Sequence, residues 1–206
     1  MSTQSNKIII LTGGGVAGAV QAGMLVAFTE ANPGWKPDHI AGASAGALNG
    51  VWMSTEFTHA RAEQLAEIWS HLEQAPVFQK RSVARFVRAL TQRPGIEKSD
   101  TLTALVEQFC PVDSLDDTLI PIHVVATCIE TLDTTWFSNG PAVERLIASA
   151  SIPGLIRPTL IDRKYYVDGC ALTSMATGKI PSLNPEKIVL FDISPPPKPP
   201  KNPSKT

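Results

Sequence analysis

The chain has 206 residues, a hydrophobic fraction of 43%, a charged fraction of 18% and a formal net charge of -1. This composition is that of an ordinary globular protein with one core, and the near-neutral charge argues against nucleic acid as a partner. Its three cysteines are widely spaced and form no C-x-x-C pair, which argues against a disulfide framework and a zinc site. With no signal-like leader and no apolar stretch of membrane-spanning length, the sequence predicts a cytoplasmic protein.

Apolar runs and helical periodicity alternate along the chain. Strands at 7–12 and 39–44 are each followed by a helix, at 17–31 and from residue 45, which is the order typical of a parallel sheet covered by helices. Further strands and helices complete the prediction: strands at 120–130, 134–138, 164–169 and 187–194, and helices at 58–73, 80–92, 100–109 and 141–151, the last with Pro141 at its first position.

The chain divides into a domain over residues 1–194 and a tail over residues 195–206. Six of the last twelve residues are proline, a composition that cannot continue a sheet or fill a core. We therefore expect the tail to be extended and disordered.

The first motif is the glycine-rich run "GGGVAGAVQAG", which lies between the first strand and the first helix. Gly13, Gly15 and Gly18 match the G-x-G-x-x-G fingerprint of dinucleotide-binding proteins. Backbone amides at a helix N-terminus attract any anion, so the same run also suits a transient oxyanion. The run by itself leaves both interpretations open.

The second motif is Gly42-Ala43-Ser44-Ala45-Gly46, a G-x-S-x-G sequence between the second strand and the second helix. A serine on such a sharp turn is held in a strained conformation with its hydroxyl outside the sheet. The residues around it must be small so that strand and helix can pass closely. This spacing predicts a nucleophilic serine at position 44.

A nucleophilic serine needs a base, and no histidine follows residue 123. His123 itself lies within an apolar strand, where a buried core histidine is the common explanation. A triad of Ser44 and His123 with Asp113, Asp116 or Asp117 stays open as an alternative. Asp168, which follows a strand and precedes Gly169, is the other candidate base.

Four segments together resemble the patatin-like phospholipases, a family of lipid acyl hydrolases with a Ser–Asp dyad. They are "LTGGGVAGAVQAGML", "GASAGALNG", "ASASIPGLIRPTLIDRKYYVDGC" and "IVLFDIS", in the family's order. The resemblance implies a three-layer α/β fold, with a mostly parallel central sheet and helices on both faces. It also implies a lipid or ester substrate and no cofactor or metal. The implied roles are Ser44 as nucleophile, Asp168 as base, Gly13, Gly14 and Gly15 as oxyanion hole, and Gly18, Gly42, Gly46 and Gly169 as motif support.

Three positions depart from the family pattern. Ala17 stands where arginine is frequent, Cys128 where aspartate is frequent, and Cys170 where glycine or alanine is usual. These departures keep a weakly active lipid-binding relative as an alternative. A dinucleotide-binding protein is the other alternative, but its ribose-binding acid should follow the second strand, whereas Asp38 precedes it.

Residues 80–93, "KRSVARFVRALTQR", carry five positive charges and no acidic residue. Their apolar residues recur at helical spacing, which predicts a basic amphipathic helix suited to peripheral contact with an anionic membrane surface. A helix whose apolar side faces the core is the alternative interpretation.

Overall fold

The computed structural model describes residues 6–74, 98–172 and 177–194. These residues form seven strands and five α-helices. The strands are β1 (Lys7–Leu11), β2 (His39–Ala43), β3 (Ile122–Cys128), β4 (Asp133–Phe137), β5 (Thr159–Ile161), β6 (Lys164–Asp168) and β7 (Lys187–Phe191). The helices are α1 (Gly18–Ala31), α2 (Ala45–Thr55), α3 (His59–Gln74), α4 (Lys98–Phe109) and α5 (Ala142–Ala150).

The strands form a single sheet in the order β5-β6-β3-β2-β1-β7, with β4 also paired to β3. The β7, β1, β2 and β3 strands are parallel to one another. The carboxyl ends of these four strands therefore lie along one edge of the sheet, where open α/β sheets place their ligands. The β4, β5 and β6 strands are joined by antiparallel pairing.

The pairing of β3 decides how the two halves of the sheet meet. A strand has two edges, and β4 occupies one of them along residues 124–128. The β2 strand pairs with residues 122–125, and β6 pairs with residues 126–128. The residues of β3 that pair with β2 and with β6 also pair with β4. The β2 and β6 strands must therefore both lie on the other edge of β3, one after the other along it. Their carboxyl ends thus face each other opposite Val125 and Ala126.

In the described parts of the chain, the five α-helices pack on one face of the sheet and a short 3-10 turn lies on the other. The larger core contains apolar side chains from all five helices, packed on Ile9, Leu11, Ile40 and Ile122. The opposite face presents Ile8, Ile10, Ala41 and Val125, and it is covered by a 3-10 turn at residues 180–183. Successive strand residues point to opposite faces, which is why Ile8 and Ile9 belong to different cores.

The predicted α/β fold with a mostly parallel central sheet is confirmed. The prediction for the fifth helix was wrong by one residue, because Pro141 caps the helix instead of occupying its first position. The short strand β5 was missed, since three residues within a loop-like sequence carry no readable alternation. The helix predicted at 80–92 and the tail at 195–206 lie outside the described residues.

Candidate active site

The G-x-S-x-G motif forms the predicted strained turn between β2 and α2. Ser44 has φ 53° and ψ -124°, in the positive-φ region that non-glycine residues seldom adopt. A Cβ atom on Gly46 would collide with the backbone of Leu11 and Thr12, and one on Gly42 would collide with Gly46. Only glycine permits this close crossing of strand and helix, so the predicted reason for the small residues is confirmed.

Ser149 holds the turn in place from α5. Its hydroxyl accepts a hydrogen bond from the Ser44 amide at 2.9 Å and donates one to the Val125 carbonyl at 2.6 Å. Ser149 is fully buried, so both bonds are shielded from water. Sequence reasoning missed this residue, because a serine within an apolar helix looks like an ordinary small core residue.

Asp168 is the last residue of β6 and pairs with Ala126, one position beyond the Ala43–Val125 pair. Ser44 follows Ala43 directly, so the end-to-end arrangement of β2 and β6 brings Ser44 and Asp168 together. Gly169 then crosses β3, where a Cβ atom would collide with the Val125 carbonyl and lie 3.2 Å from the Ala43 Cβ. The Asp-Gly sequence is thus required by the close passage of this turn over the sheet.

Burial determines the charge state of Asp168, which is only 5% exposed. Desolvation raises the pKa of its carboxyl above the ordinary value. Hydrogen bonds from the Cys170 amide, the Ser44 hydroxyl and the Cys170 thiol oppose that rise in pKa. The Cys170 amide donates to Oδ1 at 2.8 Å. A carboxylate with a raised pKa is a better base towards an alcohol than an ordinary aspartate.

The glycine loop lies beside these two residues. A Cβ atom on Gly13 would collide with the Cys170 Sγ and lie 2.9 Å from the Ser44 Cβ. One on Gly14 would lie 2.9 Å from the Ile193 carbonyl oxygen, although its φ of -176° is ordinary. Gly15 supplies the left-handed backbone of the loop, with φ 57°. Gly18 begins α1 against the Trp69 ring.

Cys170 is the departure from the family pattern that lies within this arrangement. Burial raises the pKa of its thiol to about 12, with a further rise from the Asp168 carboxylate, while the Gly13 amide acts in the opposite direction. The thiol is therefore neutral at physiological pH and can donate its proton towards Asp168. It lies between the proposed base and the first residue of the loop.

The alternative triad is not assembled. His123 lies near the amino end of β3, with Nε2 3.1 Å from His39 Nδ1 and Nδ1 2.7 Å from Ser138 Oγ. The carboxylates of Asp116 and Asp117 accept hydrogen bonds from Ser114, and Asp116 also accepts one from the Gly140 amide. The prediction that His123 is a buried and hydrogen-bonded core residue is confirmed.

Asp38 also lies away from the glycine loop. Its Oδ2 accepts a hydrogen bond from the Lys7 amide at 2.8 Å, at the amino ends of β1 and β2. A dinucleotide site needs an acidic residue at the carboxyl end of the second strand to bind the ribose. The position of Asp38 therefore argues against the dinucleotide interpretation.

The other two departures affect the surroundings of the site. Ala17 caps α1 with an apolar side chain, so position 17 gives the loop no fixed positive charge. Cys128 is buried, and its thiol lies 3.4 Å from Glu130 Oε2. Within the described parts of the chain, His, Cys, Asp and Glu side chains do not gather in groups of three that could hold a metal.

The fold and the site define an α/β protein with an elbow serine, a buried aspartate and a glycine loop at the carboxyl edge of parallel strands. The family model described as patatin-like phospholipase matches residues 9–176. The chain belongs to this family.

The chain is also similar in sequence to relatives and in fold to a solved structure. The chain is 25% identical over 195 residues to uncharacterised NTE family proteins of Mycobacterium bovis and Mycobacterium tuberculosis. The match covers 94% of this chain, and the chain spans about 50% of the length of these relatives. The crystal structure of VipD from Legionella pneumophila has a similar fold, with a TM-score of 0.54 and 14% identity over 82% of this chain and 46% of VipD.

None of the helices within residues 6–74, 98–172 and 177–194 combines the length and the apolar character needed to cross a bilayer.

Proposed function

We propose that the protein is a serine acyl hydrolase that cleaves carboxylic esters of lipids, with Ser44 as nucleophile and Asp168 as base. The observation that carries the proposal is the meeting of β2 and β6 on one edge of β3. This meeting places a strained serine beside a buried aspartate. Membership of the patatin-like family supports the lipid acyl hydrolase class.

In the proposed reaction, the Asp168 carboxylate accepts the Ser44 proton as Oγ attacks the acyl carbonyl. The resulting tetrahedral intermediate collapses, and the protonated Asp168 gives its proton to the departing alcohol. Water then attacks the acyl-enzyme with Asp168 again as base, which releases the carboxylic acid and regenerates Ser44. The raised pKa of Asp168 suits both its acid and its base role.

The amides of Gly13, Gly14 and Gly15 are the proposed oxyanion hole. The contact of Gly13 with Ser44 supports this role, because the oxyanion forms on the carbon that Ser44 attacks. The Ser44 amide is held by the Ser149 hydroxyl. The Gly13 amide faces the Cys170 thiol, a weak acceptor that the oxyanion displaces in the proposed reaction. Loss of one such donor in comparable sites costs about 2.7–4 kcal/mol of transition-state stabilisation.

We further propose that residues 80–93 make peripheral contact with an anionic membrane surface. Their basic and amphipathic sequence supports this contact, since a lipid hydrolase must reach a bilayer. Co-sedimentation with vesicles that contain anionic phospholipid, compared with vesicles of phosphatidylcholine alone, tests it. Equal binding to both vesicle types would contradict the proposed contact.

The test of the proposed function is Ser44→Ala, with the exposed Ser70→Ala as the matched control. Wild type and Ser70→Ala should hydrolyse a short p-nitrophenyl ester and be labelled by a fluorophosphonate probe. Ser44→Ala should lose both ester hydrolysis and labelling by the probe, with the circular dichroism spectrum of the wild type. Turnover retained in purified Ser44→Ala would place the nucleophile elsewhere. A panel of phospholipid, lysophospholipid and glycerolipid then identifies the preferred ester.

A further inference from the structure

A chain of buried polar side chains lies beneath the glycine loop, outside the residues assigned to the reaction. It consists of Gln21 on α1, Asn49 on α2 and Trp69 on α3. Gln21 and Asn49 are fully buried, and Trp69 is 9% exposed. Polar groups at such depth are costly unless every donor and acceptor is paired.

Gln21 connects the loop to the neighbouring strand. Its Nε2 donates to the Thr12 carbonyl at 3.2 Å and to the Phe191 carbonyl at 2.9 Å. Thr12 directly precedes the glycine run, and Phe191 ends β7. Both hydrogens of the side-chain amide are thus used on backbone carbonyls at the carboxyl edge of the sheet.

Asn49 connects the other end of the loop. Its Nδ2 donates to the Gly18 carbonyl and to Gln21 Oε1, both at 3.0 Å. Its Oδ1 accepts from Trp69 Nε1 at 2.8 Å. All the amide hydrogens of Gln21 and Asn49 therefore have partners, and the chain of bonds runs without interruption from Trp69 to Thr12.

Thr12 and Gly18 are the two residues that enclose positions 13–17. The network holds a carbonyl of each, so it fixes both ends of the glycine loop relative to α1, α2 and α3. The side chain of Thr12 is held as well, because its hydroxyl donates to Asp192 Oδ1 and accepts from the Ile193 amide.

We propose that Gln21, Asn49 and Trp69 are positioning residues that set the direction of the loop amides towards the oxyanion. This proposal rests on the proposed function, because it assigns the network to the oxyanion hole of that reaction. A core that needed only stability would be served as well by apolar side chains of the same volume. A fully paired network instead specifies one arrangement of the groups bonded to it.

The experiment compares Gln21→Met with Thr29→Val. Methionine has nearly the volume of glutamine but removes all three hydrogen bonds of the side chain. Thr29 is a buried polar residue on the same helix, and its hydroxyl bonds back to the Leu25 carbonyl of α1, away from the loop. Gln21→Met should lower kcat about 100-fold, as expected for a displaced catalytic group, with KM changed less than about threefold. Thr29→Val should keep both constants near wild type.

A second variant covers the possibility that Gln21→Met does not fold. Trp69→Phe keeps an aromatic ring at this position but removes the Nε1 donor, together with the distal ring atoms that lie against Gly18. It should lower kcat about 10-fold with little change in KM, since the outer bond of the network and part of this packing are lost while Gln21 and Asn49 keep their bonds to Thr12 and Gly18. A kcat of wild-type size in folded Gln21→Met, or in folded Trp69→Phe where Gln21→Met is unfolded, overturns the proposal.

Hydrogen exchange of the peptide over residues 12–20 separates this proposal from the proposed function. Faster exchange in Gln21→Met than in Thr29→Val supports the anchoring of the loop, and equal exchange overturns it. If wild type neither hydrolyses esters nor reacts with fluorophosphonate, the proposed function fails and exchange alone decides the anchoring. If wild type is active but Gln21→Met matches it in kcat, only the positioning proposal fails.

Discussion

Two serine-containing clusters lie at opposite ends of β2. Ser44 and Asp168 lie at the carboxyl end of β2, and His39, His123 and Ser138 lie at its amino end. His39 and Ser44 are five residues apart, or about 16 Å at a strand rise of about 3.3 Å per residue. Judged by residue type alone, the amino-end cluster has the more usual catalytic composition, because histidine is the common partner of a nucleophilic serine.

The environments reverse that ranking. The pKa of His123 is lowered to about 4, chiefly by burial and to a smaller extent by the nearby His39 and Lys179. His123 is therefore a weak base at neutral pH. Burial raises the pKa of Asp168, which makes this carboxylate a stronger base than usual. Desolvation opposes the charged form in both groups, and it therefore shifts an acid and a base in opposite directions. Only the carboxyl-end cluster gains reactivity from being buried.

Backbone geometry separates the clusters further. Ser44 has a positive φ and adjoins a loop of three glycines, whereas Ser138 follows an ordinary antiparallel strand. A strained backbone at a serine persists only where the surrounding structure holds it, and such strain is concentrated at functional sites. The comparison shows that strain, burial and nearby amides identify the candidate nucleophile better than the presence of histidine.

The largest expected effect is that of Asp168→Asn, which tests the carboxyl-end cluster directly. Asparagine cannot accept the Ser44 proton, so kcat/KM for a p-nitrophenyl ester should fall roughly 1,000-fold or more. The same variant should be more stable than wild type at neutral pH. A carboxyl group whose pKa is raised in the folded state stabilises the fold fully at pH values below its pKa in the unfolded chain. This contribution to the free energy of unfolding is lost as pH rises through the folded-state pKa.

Paired measurements of ester kinetics and thermal unfolding check both parts of this prediction. Asp162→Asn, at the exposed turn between β5 and β6 and at the opposite end of β6 from Asp168, is the control and should change neither quantity appreciably. An Asp168→Asn enzyme with activity near wild type would remove the aspartate from the reaction and reopen the amino-end cluster as a source of the base.

A smaller effect is expected when the glycine loop is altered beside the dyad. Gly13→Ala places a Cβ against the Cys170 Sγ and the Ser44 Cβ, so the loop must move. We expect kcat to fall about 100- to 1,000-fold, the loss found when an oxyanion donor is removed, with a smaller change in KM. Cys170→Ala removes the sulfur and should restore part of the loss in the double variant.

Kinetics of the two single variants and the double variant form a complete cycle. Additive losses would show that the Cys170 contact is unimportant, and a Gly13→Ala enzyme with unchanged kcat would exclude the loop from transition-state binding.

The smallest effect on activity is expected at the amino end. His123→Gln should retain kcat/KM within about threefold, because His123 bonds to His39 and Ser138 and has no assigned role in the reaction. Its effect should appear in the pH dependence of stability. A histidine whose folded pKa is about 4 stays neutral in the fold while the unfolded chain takes up a proton near pH 6.5. Wild type therefore loses stability as pH falls from about 6.5 to 4.

The free energy of unfolding measured between pH 4 and 7 checks this slope. His123→Gln should have a flatter slope than wild type, and Asp168→Asn should have a steeper one, because the two groups contribute with opposite sign. An inactive but folded His123→Gln enzyme would contradict the separation of the two clusters.

The sequence by itself determined the elements of the parallel half of the sheet and the two glycine motifs. Short apolar runs followed by helical periodicity place β1, α1, β2 and α2, because burial and hydrogen bonding within these elements depend on neighbouring residues. The need for small residues around Ser44 was also readable, since the close crossing of strand and helix is a local requirement.

The partnership of Ser44 with Asp168 was suggested in sequence only by family resemblance. Three strands and more than a hundred positions separate these residues in the sequence. No local pattern records which edge of β3 each strand occupies. Only the tertiary structure decided that β2 and β6 share one edge, because β4 had taken the other. The same holds for Ser149, Gln21 and Asn49. Each is a polar residue on the buried face of a helix, and its role depends on the distant groups that it bonds to in the folded chain.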